Sequence, residues 1–183
     1  MQEGAVLEMR GISKFFPGVK ALQNVDFTLY EGEIHALMGE NGAGKSTLIK
    51  VLTGVYEKDA GTIHIKGHDG PASIRRPQDA QKCGISTVYQ EITLCPNLTV
   101  AENMYIARTP GSFTSWKQMN TGAKKLLDDL GIPAQPNRQL GDYSIAVQQM
   151  VAIARAVDMD CKVLILDEPT SSLDEQEVAK LFR

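Results

Sequence analysis

Apolar and polar residues alternate along three short stretches in the first third of the chain. The stretches are residues 6–10, 25–30 and 61–67, and the last of them lies between two glycines. Alternation with a period of two is typical of a β-strand that has one face on a core and the other in solvent. The pattern therefore predicts three half-buried strands, which we expect to form an antiparallel sheet.

Runs that are largely apolar indicate a second kind of strand. Residues 34–38 and 163–166 are such runs, and residues 85–89 form another strand-like stretch. Parallel strands that are covered on both faces have this near-continuous apolar character, so we expect 34–38 and 163–166 to be buried. The predicted fold is therefore α/β, with a mostly parallel core sheet and an antiparallel β layer at its edge.

Helical patterns stand next to these strands. Residues 47–53 place apolar side chains on one face and end at Gly54, and residues 77–82 are predicted to form a short helix that ends at Gly84. A further helix begins at Asp142 or Ser144, either of which can serve as its N-cap. Its predicted apolar face consists of Val147, Met150, Val151, Ala154 and Val157.

The stretch between residues 95 and 140 is distinguished by two capping boxes. One begins at Thr99 and the other at Ser115, and each predicts the start of a helix. The second helix is predicted to end at Gly131 and to carry an apolar side made of Trp116, Met119, Ala123, Leu127 and Leu130. We interpret residues 95–140 as a helical insertion. Residues 133–141 are its linker to a core formed by residues 1–94 and 141–183.

A glycine-rich loop joins the predicted strand 34–38 to the helix that follows it. Its sequence, Gly39-Glu40-Asn41-Gly42-Ala43-Gly44-Lys45-Ser46-Thr47, matches the P-loop pattern G-x-x-x-x-G-K-[S/T]. The glycines let backbone N–H groups turn toward phosphate oxygens, and the helix adds the positive end of its dipole. Lys45 can reach the β- and γ-phosphates, and the Ser46 hydroxyl can ligate Mg²⁺. This order of strand, loop and helix predicts a nucleoside triphosphate site.

Polar side chains at two strand ends complete the candidate chemistry. Asp167 and Glu168 follow the strand 163–166, and Gln90 follows the strand 85–89. These are positions where α/β folds place site residues. In a P-loop protein, Asp167 suits Mg²⁺, and Glu168 is placed to orient or deprotonate an attacking water. Ser144, at a polar helix start, is another candidate phosphate contact.

Two adjacent aromatic residues, Phe15 and Phe16, precede a Pro-Gly turn in the predicted turn 14–18. They cannot both face the core of one strand, because successive side chains point to opposite faces. One of them can be offered to a flat group such as an adenine ring. The alternative, in which both rings pack under the turn, is equally compatible with these residues.

Composition narrows the classes of function. The chain has 183 residues, of which 43% are apolar and 22% charged, as expected for a soluble globular chain. A net charge of −3 gives no indication of a nucleic acid or an anionic membrane as a direct partner. No stretch reaches the roughly 18 apolar residues of a spanning helix, and the first residues lack the features of a signal peptide. The three cysteines and three histidines are scattered, which favours reduced cytosolic thiols and no metal cluster.

These motifs, in this order, resemble the nucleotide-binding domain of ATP-binding cassette (ABC) transporters. The loop 39–47 resembles the Walker A motif, residues 163–168 resemble the Walker B motif with Glu168 as its catalytic glutamate, and residues 171–174 resemble the D-loop. The resemblance implies that Phe16 stacks on adenine. It also implies that Gln90 is the Q-loop glutamine, which senses Mg²⁺ and contacts the membrane subunit. Within this family, the amino-acid sequence is similar to that of bacterial sugar importers, and most of all to that of their galactofuranose branch.

The resemblance implies an ATPase subunit that powers sugar import at the cytoplasmic face of a bacterial membrane. ATP and Mg²⁺ would be its cofactors. Its partners would be a second cassette on the same full-length chain, integral membrane permease subunits and, indirectly, a periplasmic sugar-binding protein, with no nucleic acid. A soluble ABC-type ATPase of DNA repair or translation and a non-hydrolysing regulatory cassette are the alternatives. The net negative charge argues against an ATPase that acts on nucleic acid. A non-hydrolysing cassette is disfavoured because the residues expected to bind and hydrolyse ATP are present, namely Lys45, Ser46, Gln90, Asp167 and Glu168.

Two features depart from the family pattern. The family signature Leu-Ser-Gly-Gly-Gln is replaced by Tyr143-Ser144-Ile145-Ala146-Val147, which keeps only the serine. We expect a Cβ at Ala146 to crowd the γ-phosphate of ATP held by the opposite cassette, so that the two composite sites are unequal. The switch histidine of the family is expected beyond Arg183. The sequence is therefore interpreted as a truncated N-terminal cassette that hydrolyses ATP very slowly on its own.

Overall fold

A computed structural model describes residues 1–89, 94–106, 115–159 and 161–167. The chain divides into two compact units, Met1–Ser86 and Thr87–Arg183. The predicted residues Gln90 and Glu168 and the D-loop residues 171–174 lie outside the described residues. In the described part of the chain, no helix combines the length and the apolar character needed to cross a bilayer.

The first unit contains a three-stranded antiparallel sheet. Its strands are β1 (Ala5–Phe16), β2 (Val19–Tyr30) and β3 (Ala60–Ile65), in the order β2-β1-β3. Met9 of β1 lies opposite Phe27 of β2 and Ile63 of β3. Five apolar side chains of β1 and β3 are at most 1% exposed, and they are Leu7, Met9, Ile12, Ile63 and Ile65. The predicted antiparallel layer is confirmed.

Two details of the sheet differ from prediction. The predicted turn 14–18 was too long, because β1 continues through Phe15 and Phe16 and leaves only residues 17–18 for the turn. The first strand was also expected to be buried on one face only, but Val6 and Glu8 are 8% and 3% exposed. The Arg10 side chain explains part of this, since its Nη2 donates to Glu8 Oε1 at 2.8 Å and covers the carboxylate.

Both predicted helices of this unit are present. Helix α1 (Lys45–Leu52) buries Leu48, Val51 and Leu52, and helix α2 spans Pro77–Lys82. Helix α2 has its predicted bounds, whereas α1 begins two residues and ends one residue earlier than predicted. The chain leaves α1 at Gly54, whose φ of 73° is left-handed. A Cβ on Gly54 would stand 2.6 Å from the backbone carbon of Arg76, so this turn requires glycine for space as well as for conformation.

The segment before the P-loop is not the buried strand that was predicted. Residues 33–40 carry no strand assignment, and Ile34 and Met38 are 89% and 86% exposed. A parallel strand becomes buried only when neighbouring strands bind its backbone and other elements cover its side chains. Among the described residues, none of the strands pairs with this segment. The apolar run indicated a tendency to be buried, but it could not indicate a pairing partner.

Strands β4 (Ile85–Val88) and β5 (Val163–Leu166) form a second, two-stranded sheet. Val88 and Leu166 pack with Ile153 and Ala156 in a small apolar cluster. The prediction that 163–166 is fully buried was wrong for the described part of the chain: Val163 is 4% exposed, but Leu164 is 37% exposed. In this two-stranded sheet β5 has one paired neighbour, which covers a strand less completely than two neighbours do.

Three helices build the main core of the second unit. They are α3 (Val100–Tyr105), α4 (Trp116–Asp129) and α5 (Ile145–Val157). Both predicted capping boxes are confirmed, and of the two candidate caps of α5 it is Ser144 that accepts from the backbone. The predicted apolar sides were too wide, since Trp116, Leu130 and Val157 are 62%, 42% and 42% exposed. The buried core consists of Val100, Ala101, Met104, Ala123, Leu127, Ile132, Leu140, Val147, Met150, Val151 and Ala154.

The predicted linker 133–141 is bound to the start of the insertion by backbone hydrogen bonds. Val100 N–H donates to Arg138 O at 2.9 Å, and Ala101 N–H donates to Pro136 O at 2.9 Å. Two further bonds run from the N–H groups of residues 140 and 141 to the carbonyls of residues 98 and 96, at 2.9 and 2.8 Å. The start and the end of the insertion are therefore joined by hydrogen bonds, and we call segments 96–101 and 136–141 its paired base. The proline in the second segment had suggested a free linker.

Asn103 holds this base together from the inside. Its side chain is fully buried; Oδ1 accepts from Cys95 N–H at 2.7 Å, and Nδ2 donates to Cys95 O at 2.9 Å and to Thr99 O at 3.0 Å. A buried amide is stable only when its donors and acceptors are satisfied. This amide meets that condition by binding the loop that leads into α3. Sequence analysis did not identify Asn103.

Candidate functional site

The P-loop has the backbone conformation that its glycines allow. Gly42 and Gly44 have φ values of 84° and 91°, in the left-handed region that other residues rarely adopt. A Cβ on Gly44 would lie 2.8 Å from Ala21 O and 3.0 Å from Leu22 Cδ2, so the loop packs directly against β2. Glycine is therefore required at residue 44 both for its φ and for close packing.

Lys45 lies within the turn of this loop. Its Nζ donates to Gly39 O at 2.5 Å and to Glu40 O at 2.9 Å. The loop is closed further by a bond of 3.1 Å from Ala43 N–H to Glu40 O. An ammonium held by neutral carbonyls can exchange them for phosphate oxygens, which are charged and stronger acceptors. Lys45 therefore lies against the carbonyls of the loop that is predicted to bind phosphate.

The start of α1 has the features of an anion-binding end. Gly44 is its N-cap and supplies no side-chain hydrogen bond, and the first turn carries no acidic residue. The first N–H groups of a helix have no partner within the helix and carry the positive end of its dipole. Ser46 is exposed in this first turn and Thr47 is half-buried, while Asn41 is exposed in the loop before it. These placements agree with a phosphate site, with the Ser46 hydroxyl open to a ligand.

The aromatic pair at the end of β1 is resolved by its exposure. Phe15 is 45% exposed, so the alternative that both rings pack under the turn is wrong. Phe16 is half-buried, and its ring meets that of Tyr56 edge to face, with centroids 5.2 Å apart and an interplanar angle of 73°. Both phenylalanines line a surface depression of about 420 Å³ together with Gly18, Val19 and Lys20. A flat ligand can lie against this depression.

An acidic residue supports the same strand end. Asp59 Oδ2 accepts from Phe15 N–H at 2.6 Å, and Asp59 Oδ1 accepts from Lys14 Nζ at 3.2 Å. The Phe15 N–H and then the Lys14 ammonium lower the pKa of the Asp59 carboxyl below its ordinary value, so the group is ionised at neutral pH. Sequence reasoning missed both Asp59 and Tyr56, because neither belongs to a motif and their contacts arise from the folding of residues 54–60 against β1.

The second unit contains the other predicted site residues that the structure describes. The N–H of Asp167 donates to Val88 O at 3.0 Å directly after β5, and its side chain is half-buried. Ser144 is exposed, and its Oγ accepts from Val147 N–H at 3.4 Å as the N-cap of α5. Among the described residues, no group of three or more His, Cys, Asp and Glu side chains gathers into a metal site.

The structure corrects the expectation about the replaced signature residues. Ala146 is only 5% exposed, so its Cβ is covered within this chain and offers little surface next to Ser144. Val147 is likewise buried, at 9%. The residue that stands in solvent next to Ser144 is Ile145, which is 59% exposed. Steric bulk at this helix start therefore comes from Ile145, because the first turn of α5 directs its second residue inward.

Comparison with known proteins identifies the family. Residues 22–171 match the ABC transporter family model. The chain is 54% identical over 183 residues to the galactofuranose transporter ATP-binding protein YtfR of Escherichia coli, covering 99% of this chain and 36% of that protein. It is 54% identical over 180 residues to the fructose import ATP-binding protein FruK of Bifidobacterium longum, covering 97% of this chain and 35% of that protein. The chain thus spans about a third of the length of these relatives.

Solved structures give the same result for the fold. An ATP-binding cassette of an ABC transporter in its ADP conformation matches with a TM-score of 0.84 and 25% identity, over 97% of this chain and 74% of that one. A nucleotide-free cassette matches with a TM-score of 0.84 and 26% identity, over the same shares. The fold is that of a P-loop ATPase cassette, and the chain belongs to the ABC transporter family. The predicted fold class and the predicted family are therefore confirmed.

Proposed function

We propose that this chain binds Mg-ATP and serves as the first ATP-binding cassette of a sugar importer. The observation that carries the proposal is the P-loop, in which Lys45 is held by Gly39 O and Glu40 O at the N-terminus of α1. A lysine in such a loop is the arrangement that binds the phosphates of a nucleoside triphosphate. The names of the relatives, a galactofuranose transporter and a fructose import protein, support a sugar as the cargo.

ATP would be held at both of its ends. The loop N–H groups and Lys45 would bind the phosphates, and the Phe15–Phe16 end of β1 would stack on the adenine, with Phe16 as the family's stacking residue. Mg²⁺ prefers oxygen ligands, which the Ser46 hydroxyl and the Asp167 carboxylate can supply. Ser46 is exposed and Asp167 is half-buried. Together with Gln90, these are the residues to which the family pattern assigns the ion. Mg²⁺ would supply neutralisation of the phosphate charge.

Hydrolysis would use the acid that follows Asp167. Glu168 would orient and deprotonate a water for in-line attack on the γ-phosphorus, while the bond to the β-phosphate oxygen breaks. Lys45 and the loop N–H groups would stabilise the negative charge on the transferred group. Two cassettes closing over ATP would then drive permease subunits at the cytoplasmic face of the membrane. A periplasmic binding protein would deliver the sugar on the other side.

The two composite ATP sites of such an importer would be unequal. The site closed by this chain's own signature region would present Ser144 next to Ile145, whose side chain occupies space that glycine leaves open. That site would hold ATP for longer. The site built from this chain's P-loop and Glu168 would carry most of the turnover. If Glu168→Gln left the ATPase rate of the assembled transporter unchanged, this assignment would be wrong.

The first experiment tests nucleotide binding by the full-length protein. Lys45→Ala removes a charge-assisted contact and is expected to weaken Mg-ATP binding by about 10- to 100-fold. Lys82→Ala is the matched control, because Lys82 is an exposed lysine at the end of α2 in the same unit. Equal affinity of the Lys45 and Lys82 variants would refute the proposed site.

A second experiment tests the transport role. The tagged full-length protein is purified from gently solubilised membranes and its partners are identified. Recovery of a polytopic permease is the expected result. Recovery of ribosomes or DNA-repair proteins instead, with no membrane association, would show that the cassette serves another process.

A further inference from the structure

The segment that joins α1 to β3 contacts the end of the proposed ATP site where the adenine would bind. Asp59, the last residue before β3, binds three consecutive residues of β1. Its N–H donates to Ser13 O at 2.9 Å, Oδ1 accepts from Lys14 Nζ at 3.2 Å, and Oδ2 accepts from Phe15 N–H at 2.6 Å. Such contacts fix the end of a strand more firmly than a single hydrogen bond does.

The location of Asp59 explains why a carboxylate is useful there. Strand β3 begins at Ala60, which is the partner of Ser13 in the register, so the ladder between β1 and β3 ends before Phe15. The Phe15 N–H would otherwise need another acceptor. A carboxylate that accepts from an N–H group makes a shorter and stronger bond than a neutral acceptor does. Asp59 therefore extends the bonding of β1 as far as Phe15, the residue directly before Phe16.

The ring of Phe16 is held by its neighbours. Lys14 Nζ lies 5.5 Å from the centroid of the Phe16 ring, and the Tyr56 ring meets Phe16 edge to face at 5.2 Å. Lys50 Nζ lies 5.4 Å from the centroid of Tyr56. Asp59 acts on the same ring indirectly, because it binds Lys14. A ring that is fixed before its ligand arrives loses less conformational freedom on binding.

We propose that Asp59 is a positioning residue for the base of the nucleotide: through Phe15 N–H and Lys14 it holds the Phe15–Phe16 end of β1 in the conformation that stacks on adenine. The proposal rests on the ATP site proposed above. It assigns Asp59 to the base and not to the phosphates, since its contacts are to residues 13–15. Its removal should therefore weaken only those ligands that carry a base.

The test compares two ligands on the full-length protein. Affinities for Mg-ATP and for inorganic Mg-tripolyphosphate, which has no base, are measured by calorimetry for the wild type, Asp59→Ala and Asp59→Asn. Stacking of a base on an aromatic side chain contributes enough that its partial loss should weaken ATP binding by about fivefold in Asp59→Ala. Tripolyphosphate affinity should not change. Asp59→Asn keeps an acceptor for Phe15 N–H and should lose about twofold.

Two controls make the result specific. Asp69→Ala removes an exposed carboxylate of the same unit and should leave both affinities unchanged. In a Phe16→Ala background, Asp59→Ala should cause much less than its fivefold loss, because a residue that acts through the ring has no effect once the ring is absent. A full additional fivefold loss in that background would overturn the proposal.

The remaining outcomes separate this proposal from the one it rests on. A wild type that binds neither ligand refutes the ATP site, and the role of Asp59 falls with it. If the wild type binds ATP and Asp59→Ala has the same ratio of ATP to tripolyphosphate affinity as the wild type, only the proposed role of Asp59 is refuted. Equal losses of both ligands would assign Asp59 to general stability instead. If Asp59→Ala does not fold, the ratio measured for Asp59→Asn decides the question, with an unchanged ratio counting against the proposal.

Discussion

Replacing Asn103 by leucine tests whether a single buried amide holds the base of the helical insertion. Leucine has a similar size but can neither donate nor accept a hydrogen bond. Asn103 is fully buried, so the substitution leaves little empty space and removes only polar contacts. The lost contacts are three hydrogen bonds, to Cys95 N–H, Cys95 O and Thr99 O at 2.7, 2.9 and 3.0 Å, and a longer contact of 3.4 Å from Nδ2 to Leu98 O.

The size of the effect follows from these three bonds. Each contributes about 1 kcal/mol net, which gives a loss of about 3 kcal/mol in the free energy of unfolding. The Cys95 N–H would also need a new partner when its acceptor is gone, which can only add to this figure. Asn103→Ala should cost more than Asn103→Leu, because a cavity is added to the same loss.

Urea denaturation followed by circular dichroism measures the loss, and hydrogen exchange locates it. The Cys95 amide should exchange much faster in Asn103→Leu than in the wild type. Asn120→Leu is the matched control, because Asn120 is half-buried on α4 and its Nδ2 makes one bond, to Trp116 O at 2.8 Å. We expect Asn120→Leu to change the stability by less than about 1 kcal/mol. Equal stability of Asn103→Leu and the wild type would refute the reasoning.

Two further predictions concern the first unit. Gly54→Ala should lower the free energy of unfolding by roughly 3 kcal/mol, because it combines a left-handed φ of 73° with a contact of 2.6 Å to Arg76. Gly70→Ala, at a φ of 80° with open space around it, should lower the free energy of unfolding by only about 1 kcal/mol. Equal losses in urea denaturation would disprove the contribution of the clash with Arg76. Because folding lowers the pKa of the Asp59 carboxyl, this group is protonated at a higher pH in the unfolded chain than in the folded chain. The contribution of Asp59 to stability is therefore lost as the pH falls below the ordinary pKa of 3.8. Acid denaturation of Asp59→Asn should therefore depend less on pH in this range than that of the wild type, and identical pH profiles would contradict this.

Local signals in the sequence predicted local structure well. The capping boxes at Thr99 and Ser115 specify their helices because both partners lie within three residues of each other. Helix α2 was predicted with its exact bounds, since proline favours its first turn and glycine ends it. The P-loop was predicted because its function requires particular residues at fixed spacing, independent of the surrounding fold.

Features that depend on distant residues could not be predicted in this way. Ile34 and Met38 have the composition of a buried strand, but burial requires neighbours that no local pattern specifies. Asp59 and Tyr56 look like ordinary loop residues, and their contacts with Phe15 and Phe16 appear only after β1 and β3 have paired. The orientation of Ala146 likewise required the position of α5 on its core.

The paired base of the helical insertion has a consequence for how this protein can change over evolution. The bonds between residues 96–101 and 136–141 mean that the chain leaves and returns at one point. Doubling the length of a loop between fixed ends costs only about 0.6 kcal/mol in closure entropy. Residues between these ends that lie outside the buried helical core can therefore be exchanged or extended at little cost to the strands on either side. A cassette built in this way can acquire a new contact surface while its phosphate-binding loop remains unchanged.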